Sequence, residues 1–236
     1  HNQYDLRTTC ITFEECLNTL LNWSNNNSEH VPLMIWIEPK EWIEQGTNNT
    51  FVIDLQNMLD NIEEEITEFW PRNKTITPDD VRGSSETLSR AVQEKGWPLL
   101  EDSRGKAIFI LLSSGDLREN YHEKFPGLND SRMFTMSEAG SSEAAIFSNT
   151  NPVDDGDEIM ALVKDGYIVR SRADNAENGE ADNNDTSRRD AAISVGAHSI
   201  STDYPAKVDG IDYWVEIPGG NPVACNPISA PIDCTS

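Results

Sequence analysis

Charged side chains stand at the ends of two apolar runs in this chain. Leu33–Ile37 is followed by Glu38 and Lys40, and the run at 167–172 carries Arg170 and Arg172. A short unbroken apolar run is typical of a strand that is buried on both faces of a parallel sheet, and such sheets hold their sites at the carboxyl ends of their strands. Glu38 and Lys40 are therefore candidate site residues. The alternative is that both charges are simply solvated where the strand ends.

Strands that alternate with helices must position these residues. Apolar residues at helical spacing predict helices at 12–23, 51–70, 84–95, 154–164 and 186–195. Five strands are predicted at 33–38, 107–112, 144–148, 167–172 and 197–201, with 133–136 as a short further candidate. The order indicates a parallel α/β fold. We interpret the acidic run 63–65 as a solvated helix face rather than a metal site. His30 and His198 are interpreted as packed structural residues.

Composition and charge narrow the class of protein. The 236 residues carry a net charge of -23, which argues against a nucleic-acid partner because phosphate backbones are bound by clustered Lys and Arg. No stretch approaches the roughly 20 apolar residues of a membrane span. Two close cysteine pairs lack the spacing of a zinc site and predict two disulfides, Cys10 with Cys16 and Cys225 with Cys234. A secreted glycoprotein is also indicated by glycosylation sequons at Asn22, Asn26, Asn48, Asn73, Asn129 and Asn184.

Six phrases in a fixed order resemble one protein family. They are CITFEECLNTLLNWS at 10–24, HVPLMIWIEPK at 30–40, ITPDDVRG at 76–83, GWPLLEDSRGKAIFIL at 96–111, VRSRAD at 169–174 and NDTSRRDAAISVGAHSISTDYP at 184–205. Together they resemble the secreted calcium-dependent phosphoinositide phospholipase C-like family, within the TIM-barrel phosphodiesterase superfamily. The resemblance runs nearly from end to end, and it implies a TIM-type (β/α)8 barrel.

The resemblance also implies strands that lie outside these residues. A TIM barrel needs eight strands, and the sequence predicts about the last five strand-helix units, at 1–207. A Pro- and Gly-rich tail held by the second cysteine pair follows at 208–236 and is expected to pack on the barrel. An open barrel would expose strand edges and half of a core. We therefore expect an amino-terminal fragment of the same precursor to complete the fold as a partner.

The family's chemistry implies roles for individual residues. Two histidines act as base and acid, and Ca2+ is bound by hard oxygen ligands. The distance to Glu38 places His1 near the second catalytic histidine. The spelling His1-Asn2 instead matches the first histidine motif, in which the Asn is also a metal ligand. Glu38 matches a calcium-binding carboxylate, and Lys40 either contacts phosphate or pairs with Glu38.

The strand at 167–172 is expected to bind the substrate's anion. Alternation puts Arg170 and Arg172 on one face. Two arginines inside a barrel cost free energy unless they meet an anion, so phosphate or inositol binding is favoured over a structural ion pair. Asp174 could orient them. Asp203 and Tyr204, just after the last strand, are assigned to substrate binding, with a structural role equally open.

Three functions are compatible with these residues. The first is cleavage of a phosphoinositide-like head group of a phospholipid, with at most peripheral contact to a membrane. The second keeps the fold and changes the substrate to another phosphodiester, a sphingolipid or a glycan. The third is a binding protein that has kept the barrel without the chemistry, because a fold does not determine a function.

Overall fold

The computed structural model describes residues 9–39, 42–45, 49–52, 54–175, 177–217 and 219–235. The described residues form two compact units. The first runs to Met136 and includes Gly140–Glu143, and the second contains Ser137–Ala139 and everything from Ala144 onward. Both units are α/β with parallel strands, as the sequence predicted. The expected boundary at 207/208 stays a prediction, and residues on both sides of it belong to the second unit.

Helices and strands follow one another along the chain, with bounds that differ in places from the predicted ones. The helices are α1 Phe13–Asn26, α2 Leu55–Phe69, α3 Pro78–Arg82, α4 Leu88–Lys95, α5 Leu100–Ser103, α6 Asp116–Lys124, α7 Gly156–Lys164 and α8 Ser187–Ser194, with 3-10 turns at Arg72–Lys74 and Pro126–Leu128. The strands are β1 Leu33–Ile37, β2 Trp42–Gln45, β3 Asn49–Val52, β4 Ala107–Leu111, β5 Met133–Thr135, β6 Ile146–Ser148, β7 Ile168–Arg172 and β8 Ser199–Ser201.

The first unit is built on a parallel sheet of order β1-β4-β5. Ile37, Leu111 and Thr135 lie in register at its carboxyl edge. Every residue of β4 is buried, whereas every residue of β1 is half-buried, because β1 is at the end of the sheet within the described chain. The prediction that β1 is buried on both faces is therefore wrong for the described part. A strand's burial depends on its neighbours, which its own sequence does not specify.

The second unit contains a parallel sheet of order β6-β7-β8. Arg170 pairs with Ser148 on one side and Ser199 on the other, and Arg172 pairs with Ser201. β8 is at the end of this sheet within the described residues, and its three residues are half-buried. All three strands of this sheet thus end in polar residues, Ser148, Arg172 and Ser201.

The strand count differs from the predicted five. Within the described residues six strands pair in parallel, because the short candidate at 133–136 forms β5. An antiparallel hairpin of β2 and β3 was not predicted. Its second strand occupies residues that were assigned to the start of a helix at 51. The helix α2 begins only after Asp54, whose side chain accepts a hydrogen bond from the Asn57 N–H at 3.2 Å.

Local signals account for the helix that was predicted best. α1 starts with a capping box in which Thr12 accepts from the Glu15 N–H at 3.1 Å and the Glu15 carboxylate accepts from the Thr12 N–H at 3.4 Å. Leu17 is fully buried on its inner face. In contrast, α6 was not among the predicted helices, because Leu117 and Tyr121 are its only large apolar residues and give a weak helical periodicity.

The amino-terminal entry of β1 is held by His30 and Ser24. The His30 Nε2 lies 2.8 Å from the buried Ser24 hydroxyl, and its Nδ1 lies 2.6 Å from the Val31 carbonyl. The Gly105 N–H donates to the His30 carbonyl at 2.9 Å, which joins the entries of β1 and β4. This arrangement agrees with the packed role that the sequence predicted for His30.

Both predicted disulfides are present. Cys10 pairs with Cys16 and Cys225 with Cys234, with Cα atoms 5.3 Å and 6.1 Å apart. The first holds the approach to α1, and the second closes a turn in the tail. No helix in the described residues has the length and apolar character that a membrane crossing requires.

Candidate functional site

The carboxyl edge of the first sheet carries Glu38. Glu38 directly follows β1 and is exposed, and the Leu112 N–H of the next strand donates to the Ile37 carbonyl at 2.7 Å. The two strands are therefore hydrogen-bonded up to the residue before Glu38. The carboxylate stands where the sequence placed it, at the end of a parallel strand, the position at which α/β folds bind ligands. Lys40, His1 and Asn2 lie outside the described residues.

A histidine that the sequence analysis passed over lies near the same edge. The His122 Nε2 of α6 is 2.9 Å from the hydroxyl of Thr135, the last residue of β5. Thr135 is buried, and His122 is half-buried. No local motif marks this residue, because its partner is thirteen residues away on a strand that was only a short candidate.

The second sheet places the two predicted arginines at the carboxyl end of β7. Both are half-buried, while Ile168, Val169 and Ser171 are buried. The Arg170 Nη1 donates to the Ser148 hydroxyl at 3.1 Å. The Arg172 Nη2 lies 3.5 Å from the Asp203 carboxylate, and the buried Nε of Arg172 has no hydrogen-bond partner within the described chain. An unmet guanidinium donor is what an anion site offers to its ligand.

Asp174 is buried. Its carboxylate accepts from two groups and shares the single hydrogen of a third, the Tyr213 hydroxyl, with the Ala173 carbonyl. Its Oδ1 accepts from the Asp203 N–H at 3.0 Å, and its Oδ2 accepts from the Thr202 hydroxyl. The Tyr213 hydroxyl lies 3.4 Å from Oδ2 and 3.1 Å from the Ala173 carbonyl. A buried carboxylate needs such donors, because without them its loss of solvation is not offset. Asp174 thus ties the exit of β7 to the exit of β8.

Four of the five predicted site residues in the second unit come together, whereas Arg170 contacts Ser148. Arg172, Asp174, Asp203 and Tyr204 belong to one connected set, since the Tyr204 N–H donates to the Thr202 hydroxyl at 2.9 Å and the Tyr204 ring packs edge-on against Tyr213 with centroids 5.5 Å apart. Thr202 and Tyr213 were missed. Tyr213 lies in the Pro- and Gly-rich tail, which was expected to pack on the barrel and in which no substrate-binding residue was predicted.

Electrostatics keep the Tyr213 hydroxyl protonated. Burial and, second, the negative charge of Asp174 raise the pKa of Tyr213 to about 12. The phenol therefore remains a hydrogen-bond donor across the physiological pH range. It is 1% exposed, so solvent does not compete for that donor.

The acidic loop after β7 is held by an ion pair. The Arg188 Nε donates to the buried Glu180 carboxylate at 2.8 Å, and the Arg188 Nη1 donates to the Thr150 carbonyl at 2.7 Å. The other Glu180 oxygen accepts from the Asn175 N–H at 3.0 Å. These contacts and the Asp174 set are structural uses of acidic side chains. Within the described ranges no group of three His, Cys, Asp or Glu side chains is arranged to hold a metal ion.

A cavity of about 680 Å³ lies beside β8 in the second unit. Its lining is mainly apolar and includes Ile193, His198, Ile200, Val215 and Ile217. The His198 Nδ1 accepts from the Val169 N–H at 3.2 Å, consistent with the packed role predicted for this residue. Burial lowers the pKa of His198 to about 4.

The lowered pKa of His198 predicts a loss of stability in mild acid. In the unfolded chain the pKa is near 6.5, so between about 6.5 and about 4 the unfolded state binds more protons than the folded state. The free energy of unfolding should fall across that window, by at most about 3 kcal/mol. Urea unfolding measured between about pH 7 and about pH 4 should show this decrease in the wild type but not in His198→Asn. An equal slope in both would contradict the assignment.

The glycosylation sequons within the described ranges begin at exposed residues. Asn22 and Asn26 lie on α1, Asn73 in the first 3-10 turn, and Asn129 and Asn184 in loops, while Asn48 lies outside the described residues. Exposure is a requirement for a glycan and not proof of one, so glycosylation stays a prediction.

Comparison with known families bears on all of these residues. The model of the family described as "Phosphoinositide phospholipase C, Ca2+-dependent" matches residues 2–227. The chain belongs to this family. Membership confirms the resemblance that the six phrases indicated, and the matched residues include both Glu38 and Arg172. No curated protein matches the chain significantly.

Solved structures of two bacterial calcium-dependent phospholipases C share the fold. The enzyme from Streptomyces antibioticus superposes with a TM-score of 0.58 at 16% identity, over 86% of this chain and 74% of that one. An enzyme from a Pseudomonas species, described as an apo form with a myoinositol complex, gives a TM-score of 0.50 at 18% identity, over 67% of this chain and 57% of that one. The chain thus covers under two thirds of the Pseudomonas enzyme's length.

Proposed function

We propose that this phospholipase C family member is a secreted calcium-dependent phosphodiesterase that cleaves a phosphoinositide-like head group by histidine acid/base catalysis. The observation that carries the proposal is the family match over residues 2–227, in which Glu38 stands at the carboxyl end of β1. The alternation of β7, with two half-buried arginines at its end, supports the same reading.

The donor set at Glu38 suits calcium. Calcium takes six to eight hard oxygen ligands, and an exposed carboxylate at a strand end is one of these. Within the described residues no cluster completes such a set, so we assign the remaining ligands to residues beyond the described ranges, including Asn2. When bound, calcium would lower the pKa of the attacking hydroxyl and offset charge on the phosphoryl oxygens.

The arginines of β7 are assigned to the anionic part of the substrate. Arg170 is anchored by Ser148, and Arg172 keeps a buried donor that no described residue uses. A bound phosphate or a ring hydroxyl would accept that hydrogen bond, which offsets the cost of burying the guanidinium. Lys40 is assigned a phosphate contact by its position two residues after Glu38 in the sequence.

His1 is assigned as one of the two catalytic histidines. In the proposed reaction one histidine takes the proton of an inositol hydroxyl, and the other protonates the leaving diacylglycerol oxygen. We propose that an amino-terminal fragment of the precursor supplies the second histidine and the remaining strands of a TIM-type barrel. Within the described residues β1 and β8 are at the ends of their sheets. This supports the proposal, because an unpaired parallel edge is a liability that proteins cover. Two disulfides and six sequons support secretion.

The test is an assay of head-group release from phosphatidylinositol vesicles by the protein purified from a secreting host. We expect release of a water-soluble inositol phosphate with calcium, and at least about tenfold less after chelation. Phosphatidylcholine, sphingomyelin and glycerophosphoinositol serve as comparison substrates. Cleavage of one of these in preference to phosphatidylinositol would contradict the head-group assignment. Absence of cleavage of every phosphodiester would contradict the enzymatic proposal itself.

A further inference from the structure

We propose that Tyr213, in the tail, is a positioning residue for the anion-binding side chain of Arg172, acting through Asp174 and Asp203. The inference rests on the proposed function, because it takes Arg172 as a contact of the substrate's phosphate. It gives the Pro- and Gly-rich tail a role at the site.

The first step is the hold on Asp174. The Tyr213 hydroxyl lies within reach of the Asp174 carboxylate and of the Ala173 carbonyl, at 3.4 Å and 3.1 Å. Its aromatic ring is fully buried against Tyr204. The Val215 N–H donates to the Tyr204 carbonyl at 2.9 Å, so the tail segment that carries Tyr213 is also tied to this exit. The hydroxyl is therefore fixed in place and directed at the carboxyl end of β7.

The second step links Asp174 to Arg172 through Asp203. Asp174 accepts the Asp203 N–H at 3.0 Å, which fixes the backbone from which the Asp203 side chain reaches the Arg172 guanidinium at 3.5 Å. That pairing uses an Nη2 hydrogen, and the buried Nε–H has no partner among the described residues. Within the described residues the Arg172 guanidinium contacts the Asp203 carboxylate. The position of Asp203 therefore decides which of several rotamers the Arg172 side chain adopts.

Two substitutions remove the hold without removing bulk. Tyr213→Phe deletes only the hydroxyl and keeps the ring packing, and Thr202→Val deletes the second hydroxyl donor to Asp174. Each should raise KM for phosphatidylinositol about tenfold and leave kcat within about twofold. The reason is that the Arg172–phosphate contact stabilises the bound ground state and the transition state equally. Tyr167→Phe is the control. It removes a tyrosine hydroxyl just before the amino-terminal end of β7, opposite the end that carries Arg172, and should leave KM and kcat within about twofold of the wild type.

A double-mutant cycle separates positioning from general structure. If Tyr213 acts through Arg172, then Tyr213→Phe in an Arg172→Gln background should change kcat/KM by less than about twofold. A tyrosine that only supports the fold would add its full loss in both backgrounds, and that result would overturn the proposal. Circular dichroism of each variant checks that it is folded.

A binding measurement makes the inference independent of turnover. In protein labelled with ¹⁵N-arginine, the Nε–H signal of Arg172 is identified by its loss in Arg172→Gln, and inorganic phosphate is titrated. We expect phosphate to shift this signal, with an apparent Kd about tenfold higher in Tyr213→Phe and unchanged in Tyr167→Phe. No shift in the wild type, or equal Kd values in all three proteins, would overturn the inference. If phosphate shifts the Arg172 signal and Tyr213→Phe raises the Kd, but the protein cleaves no phosphodiester, only the proposed function is overturned.

Discussion

Glu63→Ala is expected to lower the free energy of unfolding by about 3 kcal/mol, because it strips a buried hydrogen-bonded cluster of its acceptor. Glu63 is 8% exposed. Its carboxylate accepts from the Arg132 N–H at 3.1 Å and the Met133 N–H at 3.3 Å, and from the buried hydroxyl of Tyr121. Alanine would take this acceptor from all three donors and leave the Met133 N–H with only the Tyr121 oxygen, at 3.2 Å. The cluster also fixes the entry of β5 and therefore the sheet that ends at Thr135.

Glu63→Gln is the matched comparison. Its carbonyl oxygen can accept from the two backbone N–H groups, so the expected cost is about 1 kcal/mol or less. Burial raises the pKa of Glu63, so the folded state holds its proton to higher pH than the unfolded state does. The wild type should therefore lose stability as the pH rises through the window between those two pKa values, and Glu63→Gln should lack that component.

Urea unfolding of the three proteins at a series of pH values from 4.5 upward measures both effects. Glu64→Gln, at the exposed neighbouring position, should change the free energy of unfolding by no more than about 0.5 kcal/mol. A Glu63→Ala variant as stable as Glu64→Gln would show that the cluster does not contribute to the fold.

Glu63 also shows where reasoning from the sequence stops. The acidic run 63–65 was interpreted as a solvated face, which is wrong for Glu63. Its spacing from Leu59 and Ile66, both buried, places it on the inner face of α2, so a positional signal was present. The interpretation followed the acidic residue type of Glu63 and not its position on the inner face of the helix. The partner that makes the burial tolerable, Tyr121, lies on a helix that polar composition concealed.

Strands were predictable where their own residues decide the outcome. β4 and β7 are central in their sheets, and their apolar runs were found within about a residue of their ends. The edge position of β1 and the hairpin of β2 and β3 depend on which strand comes next to which, and that is a long-range property. The helix periodicity that was extended back to Phe51 hid the hairpin's second strand.

The candidate site likewise contains residues that the local sequence predicts and residues that depend on long-range contacts. Glu38 and the two arginines stand at strand ends that their own apolar runs announce. Thr202 and Tyr213 act on Asp174 from 28 and 39 residues away. Neither residue type nor spacing indicates such contacts, because the chain must fold before the hydroxyl and the carboxylate meet.

Glu38→Gln is expected to reduce calcium-dependent cleavage by on the order of 100-fold. Glutamine keeps the size and shape of the side chain and removes its negative charge, and calcium binds anionic oxygens far better than amide oxygens in a site of few carboxylates. The calcium concentration for half-maximal activity should rise as well, so part of the loss should be recovered at high calcium. Because Glu38 is exposed, thermal unfolding without calcium should be nearly unchanged.

Glu29→Gln is the control for Glu38→Gln, since Glu29 is an exposed glutamate just before the amino-terminal entry of β1. It removes the same charge at the opposite end of the strand, so both activity and calcium requirement should stay within about twofold of the wild type. Equal effects of the two variants would mean that only net charge matters. Unchanged activity in Glu38→Gln would remove Glu38 from the calcium site, because an amide cannot replace a carboxylate ligand without a change in calcium affinity.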